Sequence, residues 1–425
     1  MASSAPVSLQ HAGEVRSLCT LLVLQAVVSY RSVPAILHLL QHHTASEWHW
    51  QPHFTSVINW VLRLGLSLLN QTAPLDVPWV AIIDHSIDIG TKKALVVLRV
   101  PLHKWSGALR RSDCECIGLD VAETVNGETI RDALTPIFQQ AGCPVGIIKD
   151  GDATLNKGIR LWREQQPSTV EVMDDLSHVV ANALKKQYES SDAYQNFVSW
   201  SSQLAKKLRQ TTYAFLMPPK LRKKGRFMSI GQLAKWGHKL SGRLDYFKTE
   251  GEARFTETLA GIEVHLAFIK GFAETTRSLS GMMQQLKCKG LNAETVEACR
   301  HTLSTLTDSG MRLTLGDWLD KHQAIQQRLG VESLPVSSDV IESLFGRFKH
   351  IMNRNPQADM NRSVLLIPAL CSAVHLDQQK ITALLDDTPH KQLQAWEQTN
   401  IPYTLRKKRR EAFQKQSQKS GKLTR

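Results

Sequence analysis

The stretch VGIIKDGDATLNKGIRLW, residues 145–162, decides how the chain folds. A short apolar run ends abruptly at Asp150, Gly151 and Asp152, and an amphipathic pattern with helical spacing begins directly after it. The run is bounded by turn residues and contains Val and Ile, which favours a buried strand followed by a helix. Two carboxylates therefore stand where a predicted strand passes into a predicted helix.

Flanking segments extend this pattern into an α/β sheet. Strands are predicted at 77–83, 92–102, 114–125, 144–149 and 168–173, with helices at 127–142 and 153–165. The close spacing of the first three strands favours an antiparallel meander. A strand, helix and strand connection nearly always returns parallel and right-handed, so the fourth strand is expected beside the first or close to it.

This arrangement brings a second acid to the same edge of the sheet. Asp84 follows the first strand in VAIIDHSIDIG, as Asp150 follows the fourth. The carboxyl ends of strands are where open sheets bind ligands, and two acids there can share a divalent metal ion. We prefer Asp150 to Asp152 as the metal ligand, because Asp152 is placed to cap the next helix together with Thr154.

Positive charge indicates a polyanionic partner, most often nucleic acid. The 425 residues include 52 Lys and Arg against 39 Asp and Glu, a net charge of +13. Residues 201–240 hold ten bases and no acid, interleaved with Tyr213, Phe215, Phe227 and Trp236, as expected of a surface that follows phosphates and stacks bases. The predicted DNA contacts in this block are Lys220, Arg222, Lys223, Lys224 and Arg226. The basic tail at 401–425 is equally compatible with a solvated charged segment.

Helical patterns surround the predicted sheet. Residues 1–75 contain three helices, which a helix-turn-helix domain and a plain helical bundle explain equally well. In the first case the third helix, ending at Gly65, presents Thr55, Asn59 and Arg63 to a DNA groove. The predicted divisions of the chain are 1–75, 76–182, 183–335 (a helical insertion), 336–400 (a return to the core) and 401–425.

Cysteine usage and hydropathy bear on the compartment. The seven cysteines are odd in number and form no zinc-type pairs, which favours reduced thiols, most of them buried, in an intracellular protein. No run reaches the length of a membrane span, and the first residues lack the pattern of a secretion signal. We therefore expect a soluble protein inside the cell.

Four stretches resemble DDE transposases with an RNase H-like core, especially Mutator-like, hAT and related bacterial insertion-sequence enzymes. IIDHSIDIG (82–90) resembles their first-Asp strand, and IIKDGDATLNKGI (147–159) their second-Asp segment. DDLSHVVANAL (174–184) is similar to the motif that follows, and SSDVIESLFGRFK (337–349) to the segment with the final Glu. The resemblance covers roughly 77–182 and 335–355, and the order of the segments agrees.

The resemblance implies a fold and an active site. The fold is an α/β RNase H-like core, a five-stranded mixed sheet with helices, joined to an N-terminal helix-turn-helix domain and a large all-α insertion. Asp84, Asp150 and Glu342 become the catalytic, metal-binding triad, with two Mg²⁺ ions, or Mn²⁺ in their place, activating the nucleophile and stabilising the leaving oxygen. Asp175 and His178 are expected to support these ligands through hydrogen bonds.

The same resemblance implies an activity and its partners. The protein is expected to bind transposon ends and target DNA as a homodimer or higher oligomer, and to cut and join strands in a bacterial cytoplasm, associated with the nucleoid. Arg347 and Lys349 are expected near DNA phosphates, and Trp200 or Trp236 is a candidate for stacking on a flipped base. Relatives often have Asn before the final Glu, where this chain has Ile341. A transposase-derived DNA-binding protein without catalysis therefore remains an alternative, as does an RNase H-like nuclease.

Overall fold

Five strands form one mixed sheet in the spatial order β3-β2-β1-β4-β5. They are β1 (Trp79–Ile89), β2 (Lys92–Pro101), β3 (Glu115–Ala122), β4 (Gly146–Lys149) and β5 (Glu171–Asp174). The first three are antiparallel neighbours, and β4 runs parallel to β1. This is the strand order of an RNase H-like core, so the predicted meander, the parallel return and the combination of a five-stranded mixed sheet with all-α regions are confirmed.

The computed structural model describes residues 9–43, 51–89, 92–105, 107–166, 169–221, 227, 230–244, 249, 259, 261–352, 360–401, 403–404 and 407–413. The chain divides into two compact units. Residues 1–105, 109–172 and 338–425 form the first unit, and residues 106–108 and 173–337 form the second. Within the described ranges, no helix is both long enough and apolar enough to span a membrane.

Helices make up most of the remaining structure. In chain order they are α1 (Leu9–Leu24), α2 (Ser32–His43), α3 (Phe54–Asn70), α4 (Gly127–Ala141), α5 (Ala153–Arg163), α6 (Leu176–Tyr188), α7 (Asp192–Leu208), α8 (Ile230–Ser241), α9 (Leu266–Lys289), α10 (Ala293–Ser304), α11 (Ser309–Leu329), α12 (Asp339–Met352), α13 (Leu366–Ser372), α14 (Gln378–Asp387) and α15 (His390–Asn400). Helices α6 to α11 belong to the second unit and the others to the first.

Strand alternation assigns the faces of the sheet. Ala81 and Ile83 of β1 pack with Ile130 of α4 and with Ile159 and Trp162 of α5 in a buried apolar cluster. Successive side chains of a strand point to opposite faces, so Asp84 points away from this cluster. Helix α12 contacts β1, and α13 contacts β3.

Helix α3 does not end at Gly65, which corrects the predicted stop. It continues to Asn70 and buries eight of its residues. Gly65 lies within it at a close approach, since an ideal Cβ there would stand 1.8 Å from the Leu365 carbonyl oxygen. Its contacts with α1, α2, α13, α14 and α15 place it inside a helical layer of the first unit. The glycine is therefore a packing residue rather than a helix terminator.

The strand β1 is also longer than the apolar pattern predicts. Its backbone pairs with β2 as far as Asp88, opposite Lys93, and Ile89, opposite Lys92. Asp84, predicted to follow the first strand, therefore lies within β1, and Asp88 is also a strand residue. Cross-strand hydrogen bonds hold this part of the hairpin, so its polar composition does not end the strand.

In the second unit, α11 anchors the backbone after Met173. The Trp318 indole N–H donates to the Asp174 carbonyl oxygen at 3.0 Å, and His322 Nε2 accepts from the Asp174 N–H at 3.0 Å. Because Nε2 accepts, Nδ1 carries the proton and donates to the Trp318 carbonyl oxygen at 2.7 Å. The Asp174 side chain forms an ion pair with Lys321 at 2.8 Å. Hydrogen bonds to α11 thus fix the backbone of Asp174, and an ion pair with Lys321 fixes its carboxylate.

All seven cysteines are free thiols, and five of them are buried, as the sequence predicts. Burial raises the pKa of Cys19 and of Cys371 to about 12, and that of Cys299 to about 11. Burial also raises the pKa of Cys114 and of Cys116, and the neighbouring Cys371 raises both pKa values further.

We therefore expect only Cys143 and Cys288, which are exposed, to react rapidly with a thiol reagent in the folded protein. Titration with an aromatic disulfide at pH 8 should show two fast thiols, and the other five should appear only after denaturation. Substitution of Cys143 and Cys288 by serine should remove the fast phase. A fast phase that persists in this double variant would contradict the assignment.

Candidate active site

The register between β1 and β4 brings Asp84 and Asp150 together. In the parallel pairing of β1 with β4, Ile83 lies opposite Lys149. Asp84 directly follows Ile83, and Asp150 directly follows Lys149. Neighbouring strands lie about 4.8 Å apart, and residues in register point to the same face, so the register places the two carboxylates side by side where β4 ends and β1 continues to Ile89. Asp84 is buried at 6% exposure, while Asp150 is half-buried.

The loop after β4 is held by its own carboxylates. Asp150 Oδ1 accepts the Asp152 N–H at 3.0 Å, and Asp152 Oδ1 accepts the N–H groups of Thr154 and Leu155 at 2.8 and 3.0 Å. Asp152 is therefore the N-cap of α5, as predicted. Burial raises its pKa, but the amide donors and His85 outweigh burial and leave the pKa lowered.

His85 is a site residue that the sequence analysis missed. It is buried at 6% exposure, and its Nε2 lies 3.5 Å from Asp152 Oδ1. Its Nδ1 is buried without a hydrogen-bond partner among the described residues. The His85 side chain thus connects β1 to the loop that follows β4. A single histidine next to an aspartate has no recognisable motif spacing, so the sequence alone does not indicate the contact between His85 and Asp152. The contact follows from the pairing of β1 with β4.

Glu342 is exposed in the first turn of α12. The helix is anchored by an apolar stripe, all of which is buried: Val340, Ile341, Leu344, Phe345, Phe348 and Ile351. Helix α12 contacts β1, the strand that carries Asp84. In the described part of the chain, no group of three or more His, Cys, Asp or Glu side chains is close enough to hold a metal ion. The register brings Asp84 and Asp150 together, and the role of Glu342 as a third ligand stays a prediction.

Asp175 and His178 form a helix cap. Asp175, which is 1% exposed, is the N-cap of α6, and its Oδ1 accepts the backbone N–H of His178 at 2.9 Å. The two residues are thus connected by a local hydrogen bond from the backbone amide of His178. This contact explains the spacing of the two residues by capping alone. Their support of the metal ligands stays a prediction.

The predicted groove-facing residues of α3 differ in their surroundings. Thr55 is exposed beside the N-cap residue His53, whose Nδ1 lies 2.8 Å from Thr55 Oγ1. Asn59 accepts a hydrogen bond from Arg362 at 3.3 Å. The guanidinium of Arg63 donates to the carbonyl oxygens of Thr388, at 2.6 Å, and Leu385. Asn59 and Arg63 thus connect α3 to the C-terminal helices, while their contact with DNA stays a prediction.

The basic block presents exposed charge and one exposed ring. Exposed bases in its described part include Lys206, Lys207, Arg209 and Lys220. Arg222, Lys223, Lys224 and Arg226 lie outside the described residues, as do residues 414–425 of the basic tail.

Among its aromatic residues, Phe215 is 75% exposed, whereas Phe227 is buried. Trp236 is half-buried and donates its indole N–H to the Leu216 carbonyl oxygen at 2.9 Å. Trp200 and Trp236 face each other at 6.1 Å in an aromatic cluster with Phe197. Phe215 is therefore the ring of this block that is best placed to stack on a base.

Comparison of the sequence with protein-family models and with curated proteins finds no match. Among solved structures, the chain is similar to the Drosophila P element transposase strand transfer complex. The two are 12% identical, the alignment covers 87% of this chain and 93% of that chain, and the TM-score is 0.41.

Proposed function

We propose that this protein is a DDE-type DNA transposase, which uses Asp84, Asp150 and Glu342 to cut and join DNA strands. The observation that carries the proposal is the parallel register of β1 and β4, which puts Asp84 and Asp150 side by side. Two acids on adjoining strands, one directly after the carboxyl end of β4 and one beside it on β1, have the arrangement needed to bind a cation there.

The residues at this edge suit a divalent metal ion. Carboxylate oxygens are the hard ligands that Mg²⁺ and Mn²⁺ prefer, and an ionised Asp84, buried at 6% exposure, is stabilised by a nearby cation. When bound, such ions supply an activated nucleophile and stabilise the leaving oxygen. Asp150 and Asp84 would hold the ion on the sheet, and His85 would fix the loop through Asp152. Glu342 would complete the ligands when α12 closes on the substrate.

DNA is the proposed partner, with two paired ends held by a homodimer or larger assembly. The net charge of +13 favours a polyanion, and the exposed bases near Phe215 give the second unit a surface for a nucleic-acid strand. The N-terminal helices are proposed to contact the transposon ends through the exposed start of α3. The proposed site of action is a bacterial cytoplasm, on the nucleoid.

The test is strand cleavage by the purified full-length chain. Duplex DNA carrying the terminal inverted repeats expected on either side of the gene, labelled at each 5′ end in turn, is incubated with Mg²⁺ or Mn²⁺ and with a circular target. Nicking at the repeat ends and joining to the circle are expected. Binding without nicking, under conditions in which the protein is folded, would contradict the proposed catalysis.

A second candidate function is sequence-specific DNA binding without catalysis. It is favoured by one observation: within the described residues, no group of three or more His, Cys, Asp or Glu side chains could hold a metal ion. Affinity for DNA would be the same in both cases, so only the cleavage products separate them. Cleavage of RNA–DNA hybrids in preference to repeat ends would instead indicate an RNase H-like nuclease.

Substitution of Phe215 by alanine is expected to weaken binding of single-stranded DNA about tenfold, because stacking on an aromatic ring contributes roughly 1–3 kcal/mol per base. Fluorescence anisotropy with a labelled oligonucleotide measures the change. Leu313→Ala, which removes a residue 66% exposed in the same unit, is the matched control and should bind like the wild type. Equal affinities of Phe215→Ala and the wild type would exclude Phe215 from the interface.

A further inference from the structure

A basic pocket lies beside the candidate catalytic helix in the first unit. It has a volume of about 510 Å³ and is lined by Val27, Arg111, Ser343, Gly346, Arg347 and His350. The four residues from α12 are spaced by three, one and three positions, so they form one stripe along the helix. Glu342 precedes the first of them, and Gly346 stands one turn beyond Glu342. The pocket thus opens next to the helix face that carries the candidate acid.

Two arginines line this pocket, and neither has an acidic partner among the described residues. Arg111 contacts the Leu370 carbonyl oxygen and Arg347 the Leu24 carbonyl oxygen, each through one nitrogen at 3.5 Å. Within the described residues, neither arginine lies within ion-pair distance of a carboxylate. Burial and the nearby charge of Arg347 lower the pKa of Arg111. Two like charges held together repel each other, and most of their N–H donors remain available to an anion.

Gly346 leaves space for that anion. No atom lies within 4 Å of an ideal Cβ at this position, so packing inside the chain does not require glycine there. The rim includes Val27, whose φ of 56° is a left-handed conformation that a β-branched residue rarely adopts. Ser343 and His350 add a hydroxyl and an imidazole that can donate hydrogen bonds.

We propose that this pocket binds a phosphate group, held by Arg111 and Arg347 with Ser343 and His350 around it. Paired guanidinium groups match the oxygens of a phosphate, and a free phosphate compound and a nucleic-acid backbone share this chemistry. We favour the backbone of the DNA strand, which rests on the proposed function. The phosphate would hold the strand against α12, one turn from Glu342.

The test uses two substitutions of equal size and different charge at Gly346. Gly346→Glu puts a carboxylate beside the two arginines, while Gly346→Gln has the same size without the charge. Anisotropy of labelled duplex DNA is measured in EDTA over a range of salt concentrations, so that no cleavage is needed. We expect Gly346→Glu and Arg347→Gln to weaken binding about tenfold, and Arg347→Gln to reduce the salt slope by about one. Gly346→Gln should weaken DNA binding less than Gly346→Glu does.

A control and a second ligand complete the experiment. Arg300→Gln removes an arginine that is paired with Asp320 at 2.9 Å, and it should bind DNA like the wild type. Thermal stabilisation by inorganic phosphate, present in the wild type and absent in Arg347→Gln and Arg111→Gln, would show that the pocket accepts free phosphate. Unchanged DNA binding together with unchanged phosphate stabilisation in all the pocket variants would overturn the proposal. Because these measurements are made in EDTA, they are independent of whether the chain cleaves DNA.

Discussion

Replacement of Asp84 by asparagine is expected to abolish nicking and strand transfer, with a loss of roughly a thousandfold or more. A metal ligand contributes several kcal/mol to stabilising charge in the transition state, and each 1.36 kcal/mol corresponds to about tenfold in rate. Asparagine has nearly the same shape, so the buried part of β1 around Asp84 should keep its packing. Single-turnover cleavage of a labelled repeat-end duplex measures the effect, and anisotropy should show unchanged affinity for the DNA.

The acids after β4 provide the internal control. Asp150→Asn should resemble Asp84→Asn, because both side chains belong to the same edge of the sheet. Asp152→Asn should retain most of the activity, since an asparagine oxygen also caps a helix and accepts the N–H groups of Thr154 and Leu155. A folded Asp84→Asn protein that still cleaves would remove the assignment. Loss of activity in Asp152→Asn alone would move the metal site to Asp152 and His85.

The sheet and its pair of acids could be predicted because their signals are local. The segments around Ile83 and Ile148 are short, rich in β-branched residues and bounded by turns, and the crossover rule then makes β4 a parallel neighbour of β1. Asp84 and Asp150 follow from that register without further information. The cap formed by Asp152 could be predicted for the same reason, since capping depends on residues three positions apart.

Long-range contacts could not be predicted in this way. Arg111 and Arg347 meet although they are far apart in the chain, and nothing in the spacing around either residue indicates the other. Glycine is typical of a helix end, yet Gly65 lies within α3. The Leu365 carbonyl oxygen, far away in the sequence, leaves no room for a side chain at this position. Arg63 has the pattern of a groove-facing residue, yet its guanidinium is bonded to the end of α14 and to Thr388. Tertiary packing overrides local pattern wherever a helix is surrounded on several sides.

Gly65→Ala is expected to destabilise the protein by about 2 kcal/mol or more, although alanine is the better helix former. The added methyl group would stand 1.8 Å from the Leu365 carbonyl oxygen and 2.9 Å from its carbon, both of them backbone atoms that cannot rotate away. Overpacking of this kind typically costs about 1–3 kcal/mol, and a clash with backbone atoms should bring the cost to the upper end of that range. This cost exceeds the roughly 1 kcal/mol by which alanine stabilises a helix relative to glycine.

Gly281→Ala in α9 is the matched control, because no atom lies within 4 Å of its ideal Cβ. The same substitution should therefore raise stability there by up to about 1 kcal/mol. Differential scanning calorimetry should show a midpoint lowered by roughly 4–8 °C for Gly65→Ala, against a small increase for Gly281→Ala. Equal midpoints for Gly65→Ala and the wild type would mean that α3 and the Leu365 backbone do not approach as described. The packing that joins the N-terminal helices to the C-terminal ones would then need another explanation.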